Sequence, residues 1–200
     1  MKDERLKHRL EAFSDIVLGF CMGQMTLNFV MPRHPLEVYG SAAMWAFAVT
    51  FLIVALAWRT HHYLFEYYFV PRPVPIVLNF LTLALIVWLT YQLQIYVHFA
   101  DSADRAAAAL GYGITFSIVW TLFGVLYALC IGLQWHDFET ERRRSGVLAI
   151  ARCAFVGLGT LLSIGIFWTL HLNPAYAFWS GLLWSFAPRA IEPLVRRYVT

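Results

Sequence analysis

The hydrophobic residues of this chain form six long runs, each about the 20 residues that an α-helix needs to cross a bilayer. The breaks between the runs carry proline, asparagine or aspartate, as at 71–75 and 173–174, which are residues typical of turns and helix ends. The pattern predicts one all-α domain, residues 1–200, a polytopic membrane protein with six transmembrane helices. The predicted helices lie near 11–31, 40–65, 75–98, 107–134, 147–170 and 174–195.

Composition supports a membrane protein. Apolar residues make up 60% of the chain and charged residues 14%, against about 45–50% and 25% in soluble domains. Cys21, Cys130 and Cys153 lie far apart inside apolar runs, which indicates buried thiols rather than a disulfide or zinc framework. No small-residue cleavage site follows the first run, so we expect a retained first helix rather than a signal peptide.

The positive charges are distributed asymmetrically between the two predicted sides of the membrane. Twelve lysines and arginines fall on the side of the N-terminus, and only Arg33 and Arg105 fall on the other. Because cytoplasmic loops carry the excess of Lys and Arg, both termini are predicted to be cytoplasmic. No basic block is interleaved with aromatic residues, so nucleic acid is not an expected partner.

Asp15 is an ionisable residue inside the first predicted helix. A lone carboxylate there costs about 2.5–3.5 kcal/mol even on insertion scales and therefore needs partners. The topology brings the end of the second helix and the start of the third to the same depth. We expect one buried polar network that joins the first three helices, with Trp58 beside it. Its expected members are Arg9, Ser14, Asp15, His61 or His62, and Asn79.

A second face of the first helix is mostly apolar. Phe20, Gln24, Leu27 and Met31 follow one another at i, i+4, i+7 and i+11, with Gly23 at the border, so they share one side of a helix. From the pattern alone, ordinary helix packing explains this stripe.

Three segments resemble one known family. Arg9-Leu-Glu-Ala-Phe13-Ser14-Asp15 matches the R-x-x-x-F-S-D signature that opens the first helix of the transmembrane protein 175 family of potassium channels. Residues 58–65, Trp-Arg-Thr-His-His-Tyr-Leu-Phe, resemble the end of its second helix, and residues 78–81, Leu-Asn-Phe-Leu, the start of its third. The second half of the chain agrees in hydropathy and helix count only.

The resemblance implies a six-helix subunit, a homotetramer in prokaryotic members, whose first helices line a central pore. It also implies a constriction of apolar rings in place of a carbonyl filter, and no cofactor. Carried onto this chain, the rings fall at Phe20, Gly23 or Gln24, and Leu27, with Met31 further along. Such constrictions can gate by dewetting. The bulk of Phe20 and the polar Gln24 depart from the small aliphatics usual in the family, so Phe20 could close the pore.

We therefore expect a potassium-permeable cation channel, surrounded by lipid in a prokaryotic plasma membrane, and not an enzyme. The main alternative is a proton-coupled secondary transporter that uses Asp15 and His61 as a relay. A membrane enzyme built on Ser14, Asp15 and His61 would lack an identifiable oxyanion donor or cleft. A structural subunit without flux is the fourth alternative.

Two further motifs are interpreted as structural. The sequence Gly-Tyr-Gly at 111–113 resembles part of a potassium filter but lacks a pore loop, so we expect helix packing. His61 and His62 point about 100° apart on a helix and are not the i, i+4 pair of a zinc site. No resident metal is expected, and potassium is expected only in transit.

Overall fold

The computed structural model describes residues 2–27, 42–99, 103–172, 184 and 187–199. These residues form helices, and no strand occurs among them. A single 3-10 turn, Trp135–Asp137, joins the fourth helix to the fifth. The helices are α1 Lys2–Leu27, α2 Ala42–Tyr67, α3 Pro73–His98, α4 Arg105–Leu133, α5 Thr140–Thr169 and α6 Pro188–Tyr198.

The helix boundaries follow the hydrophobic runs most closely in the middle of the chain. α2, α3 and α4 begin and end within two residues of the predicted runs. α1 begins at residue 2 rather than 11, and α5 at residue 140 rather than 147, because their first turns are polar and hydropathy detects only the apolar part of a helix. The acidic pair Asp3 and Glu4 in the first turn of α1 favours a helix start through the helix dipole.

Three of these helices are long and apolar enough to cross a membrane, namely α3, α4 and α5. Of the predicted sixth span, 174–195, residues 174–183 and 185–186 lie outside the described residues. Its end is present as α6, which carries Arg196 and Arg197 in its last turn.

The helices pack in two groups. α1 packs against α2 and α3, whereas α4 packs along the length of α5 and α6 rests on α5. α3 joins the two groups through its packing on α4. The fully buried side chains between them include Leu18, Ile86 and Phe123. Among the described helices, α1 therefore packs mainly against α2 and α3.

The contact between α4 and α5 depends on a glycine. A Cβ atom on Gly157 of α5 would lie 2.5 Å from Thr121 Oγ1 and 2.8 Å from the Ser117 carbonyl oxygen of α4. Small residues at helix contacts let two backbones approach closely. This hairpin is the most tightly packed part of the described chain.

Both ends of the described chain lie at one end of the bundle. Lys7 Nζ donates to the Glu66 carbonyl oxygen at 3.5 Å, which places the start of α1 beside the end of α2. Tyr68 Oη donates to the Arg142 carbonyl oxygen at 3.0 Å, beside the start of α5.

The C-terminal segment runs antiparallel to α5. Trp184 Nε1 donates to Ser163 Oγ at 3.1 Å, near the far end of α5. Arg144, at the start of α5, donates to the carbonyl oxygens of Arg196 and Val199, each at 3.0 Å. The guanidinium thus satisfies carbonyl groups at the C-terminal end of α6, where a positive charge is favourable.

Gly157→Ala is expected to destabilise the bundle by about 1–3 kcal/mol, because the added methyl group forces α4 and α5 apart. Gly165→Ala is the matched control on the same helix, since a Cβ there meets no atom within 4 Å. Thermal unfolding of the purified variants in detergent measures both. Equal melting temperatures for the two variants would contradict the close contact.

Candidate functional site

A buried chain of hydrogen bonds joins α1, α2 and α3. Ser14, His61 and Asn79 are each 0% exposed. His61 Nε2 donates to Asn79 Oδ1 at 2.8 Å, and Asn79 Nδ2 donates to Ser14 Oγ at 3.4 Å. Ser14 in turn donates to the Leu10 carbonyl oxygen, one turn back on α1, at 2.8 Å. One residue from each helix therefore contributes to the chain.

The directions of these bonds follow from the groups present. An amide oxygen can only accept, so His61 carries its proton on Nε2. The imidazole also stacks on Phe65, with ring centroids 4.4 Å apart. Buried polar groups are costly unless they are hydrogen-bonded, so α1 is held in the orientation that presents Ser14 to Asn79.

Asp15 lies outside this chain. It is exposed in the single subunit, and its Oδ1 accepts a hydrogen bond from Trp58 Nε1 at 2.9 Å. Successive helix residues point about 100° apart, so the Asp15 side chain points away from the core while that of Ser14 points into it. No hydrogen bond joins Asp15 to His61 within the described part of the chain. The expected single network is thus divided in two: a buried chain that links α1 to α2 through Asn79 of α3, and a separate contact between Asp15 of α1 and Trp58 of α2.

Two other expected members of the network are placed differently. Arg9 is exposed and forms no ion pair with Asp15 among the residues that the structure describes. His62 turns away from Asn79: its Nδ1 lies 3.3 Å from Glu11 Oε1. The imidazole of His62 stacks on Trp58, with ring centroids 5.7 Å apart. Since His61 and His62 are adjacent, only one of them can face the core.

The face of α1 opposite the buried chain is open. Ile16 is 71% exposed and Phe20 60%. A Cβ on Gly19 would meet no atom within 4 Å. Leu18 and Cys21, on the other side of the helix, are buried. α1 therefore has one face inside the bundle and one apolar face that the other described helices leave exposed.

The stripe residues that the structure describes, Phe20, Gly23 and Gln24, fall on or beside this open face. Gly23 is exposed and Gln24 is half-buried. The side chain of Leu27 and the whole of Met31 lie outside the described residues. Phe13, from the signature motif, is 46% exposed and contacts Phe80 of α3 edge-on at 5.6 Å.

Sequence reasoning missed Ile16, although its position four residues before Phe20 places it on the same stripe. It is the most exposed of the large apolar residues described in α1. The open face therefore extends from Phe20 back toward the signature motif.

The Gly-Tyr-Gly motif lies inside α4, where helix packing was expected. Tyr112 is buried and its hydroxyl lies 2.7 Å from Thr50 Oγ1 of α2. A Cβ on Gly111 would lie 3.3 Å from Gln92 Oε1 of α3. The motif therefore serves contacts between helices.

No group of three His, Cys, Asp or Glu side chains among the described residues could hold a metal ion. Cys21, Cys130 and Cys153 are free and buried.

Asn79→Ala is expected to cost about 1–3 kcal/mol of stability, because it leaves buried polar groups unsatisfied. The control is Thr82→Ala on the same helix. The Thr82 hydroxyl donates to the Leu78 carbonyl oxygen of its own helix, so its removal should cost less stability.

Double-mutant cycles monitored by thermal unfolding should show coupling between His61 and Asn79 and near-additivity between His61 and Asp15. Coupling between His61 and Asp15, together with additivity between His61 and Asn79, would contradict the separation of the two sets of hydrogen bonds.

Comparisons with known proteins point to one family. Residues 9–89 match the model of the family described as the endosomal/lysosomal potassium channel TMEM175. A potassium channel of Streptomyces collinus is 29% identical over 180 residues, an alignment that covers 79% of this chain and 81% of the relative. The matched segment of 9–89 covers most of α1, all of α2 and most of α3, the helices that contribute to the buried hydrogen bonds.

Solved structures extend the agreement to nearly the whole fold. A variant of the potassium channel MtTMEM175, crystallised with a nanobody fusion, has a TM-score of 0.65 at 18% identity, covering 94% of this chain and 91% of that one. A lysosomal potassium-selective channel TMEM175 homologue from Chamaesiphon minutus has a TM-score of 0.60 at 18% identity, covering 92% and 98%. The resemblance of this chain to the TMEM175 family is therefore confirmed, by sequence in residues 9–89 and by fold over nearly its full length.

Proposed function

We propose that this integral membrane protein is the subunit of a potassium-permeable cation channel, with α1 of several copies lining a central pore. Its sequence relatives are potassium channels, and three of its helices are apolar enough to span a bilayer. Ions would move passively down their gradient, so the protein needs neither a cofactor nor a catalytic residue.

The observation that carries the proposal is the open apolar face of α1. The polar amide of Gln24 beside this face is costly in lipid, whereas water in a pore solvates it. Rotational symmetry would repeat Phe20 and its neighbours as rings around one axis. Apolar rings form a constriction that gates by dewetting, and Phe20 supplies the largest side chain of the described stripe.

The rest of the proposal concerns assembly and placement. Four copies, as the family resemblance implies, would surround the pore, with the predicted Leu27 and Met31 continuing the stripe. The end of the bundle that carries both chain ends also carries Arg142, Arg143 and Arg144, which favours a cytoplasmic position. The prokaryotic plasma membrane is the proposed location, with six crossings per subunit.

A proton-coupled transporter remains the alternative. It would need Asp15 and His61 to exchange a proton, yet Asp15 bonds to Trp58 and His61 to Asn79. Recordings from planar bilayers separate the two functions: a channel gives unitary currents that reverse near the potassium equilibrium potential, and a transporter gives saturable, proton-coupled flux without unitary events.

Phe20→Ala is expected to raise single-channel potassium conductance several-fold, because it widens the proposed constriction and lowers its dewetting barrier. Leu162→Ala is the control, since Leu162 is 57% exposed on α5, outside the proposed pore. Unchanged conductance in Phe20→Ala, or an equal change in both variants, would reject the assignment of Phe20 to the pore. Whether the protein is a channel at all is tested separately, by unitary currents of the wild type.

A further inference from the structure

A second group of residues, separate from α1, surrounds the start of α5. The Arg142 guanidinium lies over the ring of Tyr67 at 5.5 Å and over the ring of Phe138 at 5.4 Å. Next to it, the Arg143 guanidinium lies over the ring of Trp135 at 5.5 Å. These distances are within the reach of cation–π attraction, about 6 Å. Two neighbouring guanidinium groups are thus held against three aromatic rings.

The frame around Arg142 is rigid. Tyr68 Oη donates to the Arg142 carbonyl oxygen at 3.0 Å, and Gln134 Nε2 donates to the Tyr68 carbonyl oxygen at 2.9 Å. Burial raises the pKa of Tyr68 to about 12, so its hydroxyl keeps the proton that it donates. Phe138 is buried against Tyr68 with ring centroids 5.5 Å apart. The Arg142 backbone and the Phe138 ring that its guanidinium faces are therefore held in place before a ligand binds.

The charge of Arg142 is not neutralised inside the described part of the subunit. Its side chain is exposed, and no carboxylate there lies within ion-pair distance of it. The nearest acidic neighbour on α5, Glu141, pairs instead with Arg144 at 2.7 Å. The carboxylate of Glu66, the residue before Tyr67, faces His62 instead, with Glu66 Oε2 3.9 Å from His62 Nε2. Arg142 thus presents a positioned positive charge to its surroundings.

We infer that this position lies at a membrane interface. The group lies where α4 ends and α5 begins, and both helices are apolar enough to span a bilayer. Tryptophan and tyrosine are enriched at the level of lipid headgroups, and basic pockets beside membrane helices bind anionic headgroups. A guanidinium pairs with phosphate through two parallel hydrogen bonds.

We propose that Arg142 and Arg143, framed by Tyr67, Trp135 and Phe138, bind the phosphate of an anionic phospholipid in the adjacent leaflet. The aromatic rings hold the guanidinium groups at headgroup depth, and the acyl chains lie along the apolar surface of the neighbouring helices. This inference does not depend on ion permeation.

Native mass spectrometry of the purified full chain in detergent tests the proposal, with phosphatidylglycerol compared against phosphatidylcholine of the same acyl chains. Wild type should retain phosphatidylglycerol preferentially. Arg142→Gln/Arg143→Gln should weaken that retention by about ten-fold or more, since each basic residue at a membrane surface contributes about 1 kcal/mol. Phosphatidylcholine binding should not change.

The matched control is Arg5→Gln/Arg72→Gln, which removes two exposed arginines from the same end of the bundle but leaves the aromatic frame intact. It should keep the preference for phosphatidylglycerol. An equal loss in both double variants would show a general charge effect and overturn the site, as would a wild type without preference. Displacement of the lipid by inorganic phosphate would assign the site to soluble anions instead.

Should the glutamine variant fail to fold, Arg142→Lys/Arg143→Lys keeps both charges and still tests the geometry. It removes the planar groups that stack on the rings and pair with phosphate through two hydrogen bonds. Phosphatidylglycerol retention should fall several-fold while the melting temperature in phosphatidylcholine stays at the wild-type value. Retention equal to wild type would contradict the proposed role of the guanidinium groups.

Discussion

The hydrogen bonds that run from Ser14 through Asn79 to His61 set the orientation of α1, and the rest of the proposed mechanism depends on that orientation. All three side chains are buried, so each must keep its partner. A rotation of α1 by one residue would replace Ser14 with Phe13 or Asp15 and leave the Asn79 amide unsatisfied, at a cost of about 1–3 kcal/mol. The rotation that satisfies Asn79 is the one that leaves Phe20 and Ile16 facing outward.

α2 connects this arrangement to the rest of the bundle. Toward α1 and α3 it presents Trp58 and His61. Toward the α4–α5 hairpin its C-terminal end presents Tyr63, whose hydroxyl lies 2.9 Å from Ser145 Oγ, and Tyr127 Oη donates to the Thr60 carbonyl oxygen at 2.7 Å. Gly157 allows the close packing of this hairpin, whereas the outward face of α1, which the other described helices leave exposed, is the one proposed to meet neighbouring copies.

Much of the fold, and the meeting of Ser14, His61 and Asn79, could be predicted from the sequence, whereas the pore-lining stripe stays a prediction. Hydropathy located α2, α3 and α4 because their apolar runs coincide with the helices, but it missed the polar first turns of α1 and α5. The inferred topology brought Ser14, His61 and Asn79 to one depth. Depth alone cannot give rotation about a helix axis, so it could not choose between His61 and His62 or exclude Arg9. The aromatic frame around Arg142 depends on contacts among α2, the connection after α4, and α5. The hydrophobic periodicity of a single segment cannot predict contacts between segments.

The central claim is that α1 surrounds the axis of an oligomer with Phe20 turned inward. An electron cryomicroscopy reconstruction of the purified assembly in lipid nanodiscs tests it most directly. The account predicts rotational symmetry with α1 of every copy at the axis and the Phe20 rings facing one another across the lumen. A reconstruction with α1 at the lipid-facing edge and Phe20 against acyl chains would contradict it.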